Sequence, residues 1–184
     1  MSQNIDRNDQ QSLSDDEMAQ LLTLLGKVDG NKPLGTPLFN AISPLVVQSA
    51  VEAVCLRLNP EKKVEVYLIQ RSLNDTAYPG EWHCPGSVMR PGEDFDDVFA
   101  RLEEGEFIGK LSQKQFVANM NNPREARGHF LSVIYLCLLR GKTNLRGAWF
   151  PVDNLPNKTV NHHKEVIIPS TVGTFMAMNI CKFL

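Results

Sequence analysis

Cysteine is scarce in this sequence, and the few cysteines form no recognisable pattern. The 184 residues include four of them, at Cys55, Cys84, Cys137 and Cys181. No two are spaced as a Cys-x-x-Cys motif, and three stand in apolar or strand-like contexts, where cysteine behaves as a small hydrophobic residue. We therefore expect neither a disulfide framework nor a zinc knuckle.

Long apolar runs are also missing. The longest extends from Phe130 to Leu139 and contains Ser132, whereas a helix that crosses a bilayer needs about 20 apolar residues. Residues 1–12 are polar and mixed in charge, so they lack the basic start and the apolar centre of a secretory signal. These two absences predict a cytoplasmic protein with no membrane partner.

The sequence has no large excess of charge of either sign. Its formal net charge is -2, which gives no general attraction to a phosphate backbone, and we identify no local basic patch. We therefore expect no nucleic-acid partner. Hydrophobic residues make up 42% and charged residues 22%, the composition of an ordinary globular protein, and the length suits one main domain.

The N-terminal part predicts a helix followed by a linker. Ser14 and Glu17 have the spacing of a capping box, and Gly26 offers a stop. The residues between them form an apolar stripe that we expect to be buried, by packing on the main domain or, as the alternative, on a second subunit of a homodimer. The predicted division is therefore residues 1–36 for the tail, helix and linker, and residues 37–184 for the main domain.

Periodicity predicts strands and helices in the main domain. A short connection between the first two strands favours their antiparallel pairing, and we expect the fourth strand to form a hairpin with the third. We expect a turn at Asn121-Asn122-Pro123 and read Pro169 as the first position of a terminal helix. In chain order the predicted elements are the strands Leu45–Leu58 and Val64–Arg71, the acidic helix Asp94–Phe107, the strands Phe130–Leu139 and Ala148–Val152, and the terminal helix.

A series of Pro-Gly landmarks stands between the second strand and the acidic helix. They are Gln70-Arg71, Pro79-Gly80-Glu81-Trp82, Pro85-Gly86-Ser87 and Pro91-Gly92-Glu93. In this order they resemble the Nudix hydrolase family, whose signature is Gly, five residues, Glu, seven residues, then Arg-Glu-apolar-x-Glu-Glu-x-Gly-apolar. The matching positions are Glu93, Arg101 and Glu106, whereas Ser87, Leu102 and Gly105 replace signature residues. The resemblance covers Leu45 to Met178.

The resemblance implies a fold and a reaction. The fold would be α/β, a Nudix-type α/β/α sandwich with a mixed central sheet. The reaction would be hydrolysis of a pyrophosphate linkage in a nucleoside diphosphate derivative, with Mg²⁺, or alternatively Mn²⁺, as the metal ion. A hard divalent cation held by oxygen ligands suits this chemistry because it offsets the negative charge of the pyrophosphate, which repels a hydroxide nucleophile.

The resemblance also implies roles for the carboxylates of the acidic helix. Glu103, Glu104 and Glu106 would be the metal ligands, with Glu103 and Glu106 as the catalytic residues, since these two are about 60° apart around the helix. An alignment without gaps keeps Arg101 in register, whereas a shift by one residue preserves the Glu103 and Glu106 pair but moves Arg101 out of register. Both alignments remain open.

Other charged residues have supporting roles in this hypothesis. Glu93 and Arg101 would form an ion pair that fixes the loop on the helix, and Arg71 and Arg90 would bind phosphate. Glu125 and Asp153 are candidates for the general base, and Arg124 and Arg127 are weaker candidates for ligand contacts. The alternative function is a catalytically silent Nudix-fold module that binds a nucleotide or a protein, because a fold does not guarantee its usual reaction.

Overall fold

The computed structural model describes residues 13–141 and 143–180. Cys181 and the polar start of the chain therefore lie outside the described residues. The helices are α1 (Asp15–Leu25), α2 (Thr36–Ile42), α3 (Phe95–Leu102) and α4 (Ile168–Ile180). The strands are β1 (Val47–Leu58), β2 (Val64–Gln70), β3 (Trp82–His83), β4 (Gly86–Val88), β5 (Lys110–Glu125), β6 (Gly128–Arg140) and β7 (Gly147–Pro151).

The seven strands form one mixed sheet. Its main path runs in the order β3-β2-β1-β6-β5, with β4 paired to β1 and β7 paired to β2. The pairing of β1 with β6 is parallel, whereas β1 and β2 are antiparallel, as their short connection predicts. The expected α/β fold with a mixed central sheet is confirmed.

Two hydrophobic cores lie on opposite faces of the sheet, because successive side chains of a strand point to opposite faces. Odd-numbered residues of β1 and β2 pack with α3, and even-numbered residues pack with α4. The α3 side includes Val51, Ala53, Cys55, Tyr67, Ile69, Val98, Phe99 and Leu102. The α4 side includes Val54, Leu56, Val66, Leu68, Ile134, Ile167, Ile168 and Phe175. The sheet is thus a layer between two helical layers.

The sequence interpretation was wrong about two strands. The expected turn at Asn121-Asn122-Pro123 lies within β5, and β7 pairs with β2 instead of forming a hairpin with β6. Strand β5 is the edge strand, and three register shifts interrupt its pairing with β6. These register shifts interrupt the alternation of side chains that would identify a strand in the sequence. An edge strand also tolerates a proline, because its outer side has no neighbouring strand that needs the missing N–H.

The start of the terminal helix also differs from the prediction. Helical structure begins at Asn161 and includes a π-helical turn over His163–Ile167, so Pro169 lies inside the helical segment. Proline has no backbone N–H to donate to the carbonyl four residues earlier. The π-helical turn ends at Ile167, two residues before Pro169, and the Ile168 N–H donates to the His163 carbonyl.

Helix α1 has the predicted ends but an unexpected exposure. Ser14 Oγ accepts a hydrogen bond from the Glu17 N–H at 3.3 Å, the Ser14 N–H donates to the Glu17 carboxylate at 2.8 Å, and Gly26 is the C-cap. None of its residues is buried, and Leu22 and Leu24 are 62% and 60% exposed. The expected packing on the main domain was therefore wrong, since no described segment covers this stripe. The homodimer stays a prediction.

The remaining expectations about the chain concern membranes and thiols. Within residues 13–141 and 143–180, no helix combines the length and apolarity that crossing a bilayer requires. Cys55, Cys84 and Cys137 are free and buried. Burial raises the pKa of all three thiols, so they remain protonated and act as core residues.

Candidate ligand-binding cleft and acidic helix

Glu93 and Arg101 form the ion pair that the motif predicts. Arg101 Nε lies 2.5 Å from Glu93 Oε1, and its Nη2 lies 2.8 Å from Oε2. The same guanidinium donates to Ser87 Oγ at 2.7 Å and to the Val88 carbonyl at 3.0 Å. Hydrogen bonding from Arg101 is the main cause that lowers the pKa of Glu93. We call this set of contacts the brace, and it ties the Pro-Gly loop to α3.

The brace includes a residue that departs from the family signature. Ser87 stands where the signature has glycine, and its hydroxyl accepts one of the Arg101 hydrogen bonds. The Arg90 N–H also donates to the Glu93 carboxylate, at 2.8 Å. Asp94 is the N-cap of α3 and forms a capping box with Asp97. The loop and the helix start are therefore held together by reciprocal hydrogen bonds.

The C-terminal end of the predicted acidic helix is distorted. The regular helix ends at Leu102, which is 1% exposed and packs in the α3-side core. A π-helical turn follows over Glu103–Phe107, and Ile108 has a left-handed conformation with φ of 54°. Gly105 lies within this turn. Glu103, Glu104 and Glu106 therefore do not have the regular α-helical spacing on which their predicted arrangement depends.

Glu103 is held by the edge strand. Its Oε1 accepts the Leu111 N–H at 2.8 Å, and its Oε2 lies 2.7 Å from Lys110 Nζ. Partial burial acts to raise the pKa of Glu103, but these two hydrogen bonds outweigh it and the pKa is lowered. The carboxylate thus has a structural role, because it connects the end of α3 to the start of β5.

The acidic residues of this region do not fit a preformed metal site. Glu103 is engaged with β5, Glu104 is exposed, and Gly105 and Leu102 supply no carboxylate. Within the part of the chain that the structure describes, no group of three His, Cys, Asp or Glu side chains is placed to hold a metal ion. The roles of Glu103, Glu104 and Glu106 as metal ligands, and of Glu103 and Glu106 in catalysis, stay predictions.

We expect Glu103→Ala to lower the free energy of unfolding by about 1–2 kcal/mol, because the Leu111 N–H loses its acceptor. Lys110→Met is the matched control and should change it by less than about 0.5 kcal/mol, since the lysine side chain is 83% exposed. Urea unfolding measures both. Equal stability of Glu103→Ala and the wild type would contradict the structural role, and a Mg²⁺-dependent gain in stability that Glu103→Ala abolishes would support a metal role.

A cleft of about 730 Å³ lies beside the brace. The linker and α2 form one wall, the brace loop forms another, and even-numbered residues of β1 and β6 form the floor. Arg71, Arg90 and Arg101 line the cleft, so the structure brings together both predicted phosphate-binding arginines. Glu103 and Glu106 do not line it. A concave site of this size can hold a small ligand.

Two arginine–carboxylate pairs lie at the cleft. Arg71 Nε is 2.9 Å from Asp75 Oδ2, and Arg127 Nη2 is 3.1 Å from Glu125 Oε1. Both guanidinium groups lie near the ring of Tyr78, at 5.9 and 5.7 Å from its centroid. The carboxylates hold the arginines in place while the remaining N–H groups stay available to a ligand.

Asp75 was missed by the sequence interpretation. It also accepts hydrogen bonds from the Ala77 and Tyr78 N–H groups, at 3.0 and 2.8 Å. Burial acts to raise its pKa, but these bonds and Arg71 prevail and lower it to about 2. The spacing of Arg71 and Asp75 was visible in the sequence, but only the turn between them brings the two side chains together.

Glu52 is a second residue that the sequence interpretation missed. It lines the floor of the cleft and is 8% exposed. Burial raises its pKa to about 8 and outweighs the opposing effects of the Ser132 hydroxyl, 3.4 Å away, and of Arg127 and Arg71. The signal in the sequence is a single glutamate within the apolar run of β1. The same pattern is also typical of a strand with one exposed face, so it does not single out Glu52.

Histidines line the inner end of the cleft, next to the start of the terminal helix. Burial lowers the pKa of His83 to about 3, and it lowers the pKa of His162 and His163 as well. His163 Nδ1 accepts the Cys84 N–H at 3.2 Å. These rings are therefore neutral at physiological pH, and they position the loop without adding charge to the cleft.

Comparison with models of known families identifies the family of this chain. The family model described as NUDIX domain matches residues 48–170, which is more than half of the chain. The chain belongs to the Nudix family. This Nudix protein has no match among curated proteins.

Solved structures with the same fold come from several Nudix proteins. A MutT NUDIX hydrolase from Burkholderia pseudomallei is 18% identical, with a TM-score of 0.56 over 68% of this chain and 96% of that chain. The NUDIX domain of Shewanella oneidensis NrtR complexed with ADP ribose is 18% identical, with a TM-score of 0.56 over 84% and 97% of the two chains. NrtR complexed with a 27mer DNA is 19% identical, with a TM-score of 0.56, and the match spans 68% of this chain and 61% of that chain. At these identities the likeness concerns the fold.

Proposed function

We propose that this Nudix protein binds a nucleoside diphosphate derivative in the cleft, with Arg71, Arg90 and Arg127 as ligands of the phosphates. The observation that carries this proposal is the charge of the lining. Five cationic side chains line the cleft, together with three acidic ones of which Glu52 is protonated at neutral pH. Arginine is well suited to the role because its planar group can donate two parallel hydrogen bonds to a phosphate.

The proposed ligand is a small molecule. ADP ribose, which is bound by the NUDIX domain of NrtR, is itself a nucleoside diphosphate derivative. A cleft of about 730 Å³ is large enough for a molecule of this class. The absence of a nucleic-acid partner stays a prediction based on the formal net charge of -2.

Hydrolysis of the bound pyrophosphate linkage is the second candidate function. It is favoured by membership of the Nudix family and by the brace, which holds the loop and the acidic helix together. It would require a divalent ion, Mg²⁺ or Mn²⁺, to offset the negative charge of the pyrophosphate. Glu106, which matches the family signature, is the residue proposed to act in it.

We expect Arg71→Met to weaken binding of ADP ribose by roughly 10- to 100-fold, because a charge-assisted hydrogen bond to phosphate is lost. The matched control is Arg57→Met, since Arg57 lies on the side chains of Glu65 and Trp149 and does not line the cleft. Isothermal titration calorimetry measures both affinities. Equal weakening in the two variants, or no binding by the wild type, would contradict the proposed site.

Turnover is tested on the same protein. Release of phosphate or nucleotide from a panel of nucleoside diphosphate derivatives is followed with and without Mg²⁺ or Mn²⁺. Metal-dependent turnover that Glu106→Gln removes and that the control Glu61→Gln retains would support the hydrolase, since Glu61 is 74% exposed and has no proposed role in the site. Binding without turnover across the panel would support the catalytically silent module.

A further inference from the structure

The most unusual side chain of the cleft is Glu52. It lies in the middle of β1, with Gly86 of β4 opposite it on one side and Ile134 of β6 on the other. The residue is 8% exposed, and it lines the cleft floor on the face of the sheet that α4 covers further along. A carboxyl group therefore stands where the alternation of β1 would otherwise place an apolar core residue.

The carboxyl group of Glu52 is poorly satisfied within the protein. Ser132 Oγ is 3.4 Å from Oε1, which is long for a hydrogen bond between oxygens. Glu52 forms no ion pair with any residue that the structure describes. A buried carboxyl group without good partners costs stability, and an apolar side chain of similar size would avoid this cost.

The backbone beside Glu52 makes room for its carboxyl group. A Cβ atom built on Gly86 would overlap Glu52 Oε2, so any larger residue at this position of the Pro-Gly landmark would force the carboxyl group to move. The side chain is thus seated in a defined place next to the cleft. A costly polar group held in a defined position at a ligand cleft indicates a role in recognition.

The state of the carboxyl group decides what it can recognise. Burial keeps Glu52 protonated at neutral pH, because its pKa is raised to about 8. A protonated carboxyl group presents an O–H donor beside a C=O acceptor. The edge of a nucleobase presents the complementary arrangement, in which an N–H donor stands next to a carbonyl oxygen or a ring nitrogen. The two edges can exchange a pair of hydrogen bonds.

We propose that Glu52, together with Ser132, recognises the base of a nucleoside diphosphate whose phosphates lie on Arg71 and Arg127. This inference rests on the proposed function and makes it more specific, because it assigns the phosphates to the arginines and the base to the floor of the cleft. The ligand class is a nucleotide with a base, as opposed to an inorganic phosphate.

The test compares ligands with and without a base. Calorimetry at pH 7 measures binding of ADP, GDP, UDP and CDP, and of inorganic pyrophosphate, to the wild type, Glu52→Met and Glu52→Gln. We expect Glu52→Met to weaken the preferred nucleotide by roughly 10- to 100-fold and to leave pyrophosphate unchanged. Glu52→Gln should retain most of the affinity, since its amide also offers a donor beside an acceptor.

The pH profile separates recognition from a merely structural role. Above about pH 8 Glu52 loses its donor, so the preference of the wild type for the nucleotide over pyrophosphate should decline, whereas that of Glu52→Gln should persist. The charged and titratable groups that act on Glu52 are Arg71, Arg127, Glu125 and Cys84. The cleft histidines are already neutral and do not contribute to this change.

Each contrary result has a distinct meaning. If the wild type binds pyrophosphate and nucleotides and Glu52→Met binds both equally well, the inference is wrong and the proposed phosphate site stands. If Glu52→Met weakens both ligands to the same extent, Glu52 has a structural role and the inference is also wrong. If the wild type binds neither ligand, the proposed function itself fails, and the inference fails with it.

Discussion

Glu52→Gln should make the protein more stable than the wild type at pH 9, and nearly equal to it at pH 4. Burial raises the pKa of Glu52 in the folded state from 4.5 to about 8. Below about pH 4.5 both the folded and the unfolded state are protonated at this residue. Between these two pKa values the unfolded state releases the proton and the folded state retains it, so the stability of the wild type falls as the pH rises.

The size of this effect follows from the difference between the two pKa values. Each pKa unit corresponds to about 1.4 kcal/mol, so the difference between 4.5 and about 8 amounts to roughly 5 kcal/mol above pH 8. Glutamine has the same shape as protonated glutamate and does not titrate, so its variant lacks this loss. Urea unfolding of both proteins at pH 4, 7 and 9, followed by tryptophan fluorescence, measures the difference.

The control for this comparison is another glutamate. Glu61 has a side chain that is 74% exposed, so Glu61→Gln should differ from the wild type by little at any of the three pH values. The other carboxylates are the same in the wild type and in Glu52→Gln, so their effects on stability cancel in the difference. Parallel stability curves for the wild type and Glu52→Gln would show that Glu52 ionises normally in the folded protein.

Arg101→Met should lower the free energy of unfolding by about 2–3 kcal/mol, because the Glu93 carboxylate loses its partner in a partly buried site. The two side chains are 25% and 14% exposed, and the pair is bidentate, so the loss should exceed that of a surface ion pair. We expect weaker ligand binding as well, since the loop that carries Arg90 is no longer tied to α3.

Two comparisons test the contribution of the brace. Arg57→Met removes the ion pair with Glu65, where the arginine is 48% exposed, and should cost less than about 1 kcal/mol. Glu93→Gln combined with Arg101→Met should cost less than the sum of the single changes, because the two residues contact each other. Urea unfolding supplies all of these values. Strictly additive effects would show that the pair contributes nothing beyond its separate side chains.

Much of the fold was predictable because its determinants are local. The alternation of β1 and β2, the capping box at Ser14 and the apolar face of α3 all follow from residues close together in the chain. The brace was predictable for a related reason, since the spacing of Glu93 and Arg101 reflects a loop that leads directly into a helix. The order of the Pro-Gly landmarks was sufficient to indicate the Nudix family, which the family model shows.

Other features were not predictable because they depend on contacts between distant segments. Strand β7 pairs with β2, whose residues lie 78 to 86 positions earlier in the sequence, and no local periodicity predicts this pairing. The sequence of β5 is similar to that of a loop, because bulges interrupt its strand periodicity. Helical spacing predicts Glu103 as a metal ligand, but spacing alone reveals neither its hydrogen bond to β5 nor the π-helical turn that begins at this residue.

By itself, then, the sequence determined the family, the mixed α/β architecture, the brace and two arginines of the cleft. These depend on short-range spacing and on the apolar pattern of single elements. Only the tertiary structure decided that the stripe of α1 is exposed, that Glu103 binds the edge strand, and that Glu52 lies in the cleft beside Ser132. Each of these outcomes depends on which surfaces are covered by other segments of the folded chain. Burial also determines whether a carboxyl group such as that of Glu52 is charged, because desolvation disfavours the charged form.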